Sequence, residues 1–261
     1  SRTELSNRLG LTRMAIGGIV NELIEDNYIE ESVQIFNGDE PRKTGRVPVI
    51  LKIADRSINA IGIYVKRYEI HCVISDIQGN VFYHEFQRLP ADADNKTFLF
   101  ILRGLLDRAI EENRQYYLAG IGIASIGPLD IHGKRLFFPP NFYRIGDICF
   151  EEELASYRLP VVLDNDMNAS ALAEHYYGAY YQNKSLAYVG FSSGVGAGII
   201  IKGKVQHGSA GFAGEVGHIS INFKGPKCEC GQHGCTELYT SISNLLLATG
   251  TGSIEELAEL L

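Results

Sequence analysis

A mixed α/β body behind a small helical head is the fold class this sequence predicts, and three observations carry it. Residues 2–24 place apolar side chains at helical spacing and then give way to short runs that read as strands. From Ser57 onward, three strand-like runs lead into an amphipathic helical stretch, after which buried strands alternate with helices. Glycine clusters such as "SSGVGAG" mark tight turns between the later strands.

In the head, "SRTELSNRLGLTRMAIGGIVNELIEDNYIEE" predicts two helices joined by a tight turn. The first runs from about Arg2 to Arg8 and ends at Gly10, a residue suited to the left-handed helix terminus. Thr12 caps a second helix, in which Met14, Ile16, Ile19, Val20, Leu23 and Ile24 recur at helical spacing. "YIEESVQIF" and "VPVILKI" then read as paired strands around "NGDEPRKTGR", whose tip carries Arg42, Lys43 and Arg46. A basic hairpin directly after a helix-turn-helix is the layout of a winged helix. On that reading Thr12 and Arg13 open the helix that enters a major groove, Asn21 lies further along it, and the wing reaches the DNA backbone. Gly17 and Gly18 fit either close approach to DNA or simple tolerance.

In the body, "INAIGIYV" and "IHCVISDIQGNVFYHEFQRL" give three strands, and "KTFLFILRGLLDRAIEEN" a helix. "LAGIGIASIGPLD" is a further buried strand, "FEEELASY" a helix, and "PVVLDND" a strand running into the helical "MNASALAEHYYG". "SLAYVGFSSGVGAGIIIKGKV" reads as a second meander around a glycine-rich turn.

Composition narrows the function classes. The 261 residues hold 45% hydrophobic and 21% charged side chains, ordinary for a globular protein. No apolar run is long enough to span a bilayer, and the polar, charged N-terminus does not read as a signal peptide. Net charge is −7, but residues 1–56 hold 8 Lys/Arg against 9 Asp/Glu, and the remainder 16 against 22. The acidic body argues against a broad nucleic-acid surface and leaves any DNA contact to the head. Cys72 and Cys149 stand alone in apolar surroundings and are expected to fill core space. A cytoplasmic, reducing location fits this usage.

The other three of the five cysteines fall in "GPKCECGQHGC". With His218 upstream, Cys228, Cys230 and Cys235 give H-x9-C-x-C-x4-C. Three thiolates and an imidazole suit tetrahedral zinc, and His233 competes with His218 for the fourth place by proximity. Four protein ligands leave no position for water, so such a site is structural.

The chain resembles the ROK family (repressors, open reading frames and kinases). The carriers are "SRTELSNRLGLTRMAIGGIVNELIEDNYIEE" with "KTGRVPVIL", then in order "GIGIASIGPLD", "NDMNASALAE", "SSGVGAG", "AGEVGHI" and "CECGQHGCTE". The resemblance implies a two-lobed, actin-like sugar-kinase (RNase H-like) α/β body preceded by a winged helix-turn-helix. The expected divisions are 1–56 for the DNA-binding domain, 57–165 for the first lobe and 166–261 for the second, with both ends of the family pattern incomplete in this chain. It favours His218 over His233 as the fourth zinc ligand. It further implies that Asn141, Asn165, Asp166, Glu215, His218 and Glu237 contact a sugar, Asp166 standing at the family's general-base position.

In the kinases of this family a first glycine-rich turn wraps the phosphates of ATP. Here the corresponding stretch reads Tyr64, Lys66, Arg67 and Tyr68, while Gly194, Gly196 and Gly198 of the second loop are present. The nucleotide half is therefore expected to be lost and the sugar half kept, with no catalytic residue in use. The favoured expectation is a sugar-responsive repressor of carbohydrate-utilisation genes that binds double-stranded operator DNA as a homodimer or dimer of dimers. The rival is an active hexokinase-type enzyme with a fused DNA-binding domain. A repressor inactivated by a protein partner is a third reading.

Overall fold

The computed structural model describes residues 1–33, 49–54, 58–140, 142–179 and 183–259. Arg42, Lys43, Arg46 and Asn141 lie outside the described residues.

The head begins with α1 (Arg2–Leu9) and α2 (Arg13–Glu25). A capping box formed by Ser1 and Glu4 opens α1, and Gly10, at φ 65°, closes it. The Thr12 hydroxyl caps α2 by accepting from the Ala15 N–H at 3.2 Å. Of the apolar residues placed at helical spacing, Ile16 and Val20 are buried, whereas Met14 and Ile19 project into solvent. β1 (Ile29–Val33) and β2 (Val49–Ile53) pair antiparallel, Val33 opposite Val49. A Cβ added at Gly17 or Gly18 would meet nothing within 4 Å, so packing does not require glycine at either.

In the body, β3 (Asn59–Val65), β4 (Glu69–Asp76) and β5 (Val81–Arg88) form the expected meander. They are followed by α3 (Asn95–Glu112) and β6 (Leu118–Ser125). Three two-residue strands come next: β7 (Leu129–Asp130), β8 (Arg135–Leu136) and β9 (Ile148–Cys149), which form a small sheet of their own. α4 (Phe150–Glu153) leads to β10 (Val161–Asn165) and α5 (Asp166–Tyr176). β11 (Leu186–Phe191), β12 (Val195–Ile201) and β13 (Lys204–Val205) make an antiparallel sheet. α6 (Glu237–Thr240), α7 (Ile242–Thr249) and α8 (Ile254–Glu259) follow.

The main sheet has five strands in the order β10-β6-β3-β4-β5. β3 and β6, and β6 and β10, run parallel; the remaining pairs are antiparallel. Strict alternation along β4 (buried at Ile70, Cys72 and Ile74) turns one sheet face inward against Phe98, Leu102, Leu105 and Leu106 of α3. Each such leucine contributes about 1.5–3 kcal/mol by leaving water. Asp94 starts α3 by accepting from the Thr97 N–H at 2.9 Å. Cys72 fills this core as expected, whereas Cys149 is only half-buried, its Sγ 3.8 Å from the Gly133 carbonyl at the rim of the small sheet.

Candidate metal centre and carboxylate site

Where β10 ends, the chain passes directly into α5, and this junction holds "DND". The Asn165 side chain caps α5, its Oδ1 accepting from the Met167 N–H at 2.9 Å, and Asp166 Oδ1 accepts from the same N–H at 3.0 Å. β12 lies hard against this point: a Cβ at Gly198 would come within 2.1 Å of the Met167 carbonyl oxygen. α5 packs on both β11 and β12. The glycine at 198 therefore sets how closely the second sheet approaches Asp166.

The same strand positions two more carboxylates. The Ala197 N–H donates to the Gly214 carbonyl at 2.8 Å, which holds the segment leading into Glu215. At the start of β12, the Val195 N–H donates to Glu237 Oε2 at 2.8 Å. Burial pushes the Asp166 carboxyl up to about 6, and the Glu215 carboxylate acts in the same direction. Glu215 is itself raised, chiefly by burial, with His218 opposing and Glu237 adding to the rise. Asp166, His218 and Glu237 thus each sit within electrostatic reach of Glu215. Such a group offers charged acceptors to the hydroxyls of a small polar ligand.

His218 belongs to both this group and the sulfur cluster. The turn Val216–His218 presents it, with Nε2 4.0 Å from Glu215 Oε2 and Nδ1 3.7 Å from Cys228 Sγ. Cys230 Sγ and Cys235 Sγ are 3.5 Å apart, and one donor atom from each of His218, Cys228, Cys230 and Cys235 lies within 4.8 Å of the rest. Donors about 2.3 Å from a common centre would stand about 3.8 Å apart in a tetrahedron, so the spacing fits a four-coordinate metal ion. His233 is not in this group. The loop closes because Gly234 has φ 66° and a Cβ there would fall 1.8 Å from the Asn222 carbonyl oxygen. The Gln232 backbone N–H lowers the Cys230 thiol, whereas burial and the facing sulfurs push Cys235 up to about 12. Sulfurs this close ionise together only around a cation, which is the chemistry of a metal site.

Tyr64 stands near the end of β3, and Lys66, Arg67 and Tyr68 follow it in the turn. Burial and the nearby Asp166 carboxylate push the Tyr64 phenol up to about 12. Lys66 Nζ lies 2.5 Å from Glu69 Oε1, the Arg67 guanidinium donates to the Pro140 carbonyl at 2.9 Å, and the Tyr68 ring meets Tyr143 edge-on at 6.0 Å.

In the head, Arg13 opens α2, and Thr12 is committed to its cap. Asn21 accepts from Arg2 of α1 at 3.0 Å, which ties its amide oxygen inside the head. One contact near the site escapes any sequence pattern: His207 Nε2 lies 2.9 Å from Asp164 Oδ2, joining β10 to the loop that leads to Glu215. Asp164 Oδ1 also accepts from the Asn168 amide at 2.9 Å. Asp164 was visible within "DND", but its partner lies 43 residues away.

Among the described residues, no helix is long and apolar enough to cross a membrane. The ROK family profile matches residues 60–257. The xylose repressor of Bacillus subtilis (strain 168) is 33% identical over 254 residues, covering 96% of this chain. The chain spans 64% of that relative's length. Among solved structures, a ROK family transcriptional regulator, homologous to the E. coli MLC protein, superposes with a TM-score of 0.78 at 24% identity, over 96% of this chain and 62% of the other. A ROK family glucokinase from Streptomyces griseus, in complex with glucose and AMPPNP, gives a TM-score of 0.63 at 27% identity over 72% of this chain and 59% of the other. These likenesses agree with the mixed α/β, sugar-kinase-like fold, and the chain belongs to the ROK family.

Proposed function

We propose that this chain is a sugar-responsive transcriptional regulator, a repressor of carbohydrate-utilisation genes that does not itself phosphorylate its ligand. The observation that carries this reading is the group of carboxylates Asp166, Glu215 and Glu237 gathered by β12 and its neighbours, the Val195 N–H holding Glu237 at 2.8 Å. Asp166, Glu215 and Glu237 form an acceptor cluster suited to sugar hydroxyls, with Asn165, His218 and Asn141 as further contacts. The end of β3 and the turn after it, where a kinase of this fold would wrap phosphate, carry Tyr64, Lys66, Arg67 and Tyr68 instead of glycines; Lys66, Arg67 and Tyr68 engage neighbours of their own. Phosphoryl transfer depends on positioning ATP by such a loop, so the site binds sugar without turnover. The 33% identical B. subtilis relative is a xylose repressor, which makes a pentose or hexose the ligand class and xylose the first sugar to test.

Zinc is the ion that His218, Cys228, Cys230 and Cys235 would hold, as a closed structural site. Its bound charge would stabilise the thiolates and fix the segments bearing Glu215 and Glu237. The order α1, α2, β1, β2 supports a winged helix over 1–56, with lobes 57–165 and 166–261 behind it. Arg13 would enter the major groove beside Thr12 and Asn21, and Arg42, Lys43 and Arg46 would meet phosphates. A homodimer, or dimer of dimers, would read two related half-sites. The sugar acts only by binding the DNA-competent and incompetent states differently.

Thermal unfolding with xylose, glucose and N-acetylglucosamine tests the proposal. A sugar at 100 times its Kd stabilises by about 2.7 kcal/mol, which for a chain of this size is a rise of roughly 5–10 °C. No rise with any monosaccharide would contradict sugar sensing and favour a protein effector.

A further inference from the structure

The loop over residues 206–214 leaves the second sheet and returns to it at both ends. The Gln206 N–H donates to the Ile199 carbonyl of β12 at 2.8 Å, and the Ala197 N–H of β12 donates to the Gly214 carbonyl at 2.8 Å. Between them the His207 carbonyl accepts from the Ala213 N–H at 3.1 Å. These backbone contacts shape the loop and leave the His207 ring for another task. The ring crosses to the main sheet, where Nε2 lies 2.9 Å from Asp164 Oδ2 at the end of β10. Asp164 is held ready for it. Its Oδ1 accepts from the Asn165 N–H at 2.7 Å and from the Asn168 side-chain amide at 2.9 Å. Asn168 is 3% exposed, and its own Oδ1 has no hydrogen-bond partner among the described residues. An unpaired buried amide oxygen is unfavourable, so the fold fixes the Asp164 carboxylate at the expense of its neighbour. An ionised carboxylate only accepts, so His207 donates from Nε2.

We propose that His207 is a positioning residue for the sugar, a role that rests on the sugar-binding reading above. Through Asp164 it sets the place of Glu215, at the end of its loop, against Asp166, which begins α5 two residues beyond Asp164. The two carboxylates carry like charge and repel, so they do not hold the two sheets in register by themselves. The His207–Asp164 hydrogen bond supplies that tie, and it spends none of the acceptors offered to the sugar hydroxyls. Ligand hydroxyls have fixed spacing, and a binding group must stay within about 0.5 Å of its place to meet them. With the tie cut, the loop keeps its ends on β12 but loses its link to β10, and Glu215 drifts relative to Asp166.

Calorimetric titration with xylose, glucose and N-acetylglucosamine, alongside amide hydrogen exchange of the ligand-free protein, tests this in the parent, His207→Ala and His207→Gln. Glutamine carries an amide N–H at about the reach of imidazole Nε2. Sugar affinity is expected to fall about tenfold in His207→Ala, the size of one hydrogen bond to a charged group. Amides of 208–215 should exchange faster in that variant, with those of β4 and α3 unchanged. His207→Gln should bring affinity and exchange back to within about threefold of the parent. Affinity unmoved by His207→Ala, a loss of affinity without faster exchange in 208–215, or a glutamine variant as weak as the alanine one would each overturn the proposal while leaving sugar sensing intact. A parent that binds none of the three sugars would overturn the sensing reading, and this role with it.

Discussion

Replacing Asp166 by asparagine should make the ligand-free protein more stable. Burial raises this carboxyl from 3.8 to about 6 in the folded chain, against its ordinary value once unfolded. The folded state therefore holds the proton more tightly, and ionisation of Asp166 works against folding. Below about pH 3 the group is neutral in both states and costs nothing. The cost grows as pH rises through about 4 to 6 and is complete above that, when Asp166 is charged in both states. A difference of about 2 pK units corresponds to about 3 kcal/mol. Asp166→Asn removes the charge, while its Oδ1 can keep the 3.0 Å bond from the Met167 N–H. At pH 7.5 the variant should therefore melt higher, by up to roughly 6–12 °C for a chain of this length, with only about a sixth of that gain at pH 4. The same substitution should abolish the sugar-induced rise in Tm, because a neutral amide replaces the charged acceptor. An unchanged melting temperature at pH 7.5, or a gain equally large at pH 4, would refute the claim that Asp166 is a desolvated carboxylate kept at the expense of stability.

Three further outcomes are expected. Treating the protein with a metal chelator, or substituting Cys235→Ser, should lower Tm and sugar affinity together, as followed by scanning calorimetry and titration; normal sugar binding by chelator-treated protein would contradict the proposal that a bound ion fixes the segments of Glu215 and Glu237. Glu237→Ala should destabilise by about 1–3 kcal/mol, since the Val195 N–H loses its charged acceptor, while Glu237→Gln should recover most of that stability but not sugar affinity. Arg13→Ala should weaken binding to an operator selected from random DNA and reduce the dependence of log K on log salt by about one if the guanidinium meets a phosphate, as measured by fluorescence anisotropy.

The sequence revealed most where chemistry is local. Alternation along Ile70, Cys72 and Ile74 gave the buried strand, and Thr12 and Gly10 marked helix ends because caps are decided by their nearest neighbours, whereas Asn165, read from the sequence only as a sugar contact, also caps α5. The sulfur cluster was readable for the same reason: three of its four donors lie within eight residues. The two-residue strands β7, β8 and β9 were missed because such short pieces carry no period. Cys149 was expected in the core, yet it falls at the rim of that unforeseen sheet. The Asp164–His207 contact depends on a loop returning to β10, and no spacing encodes it. Helical periodicity gave α3, but only the packed fold distinguishes Leu102, which enters the core, from Phe100, which does not.

If this kinase-like fold works as a sensor, it binds its sugar without turning it over. Purified protein would be incubated with Mg-ATP and whichever sugar raises its Tm, and sugar phosphate measured over hours. Sugar binding without phosphate transfer above the protein-free background is expected. Robust sugar phosphate formation, lost in Asp166→Asn, would show that the turn around Tyr64 still admits ATP and that the chain is an enzyme.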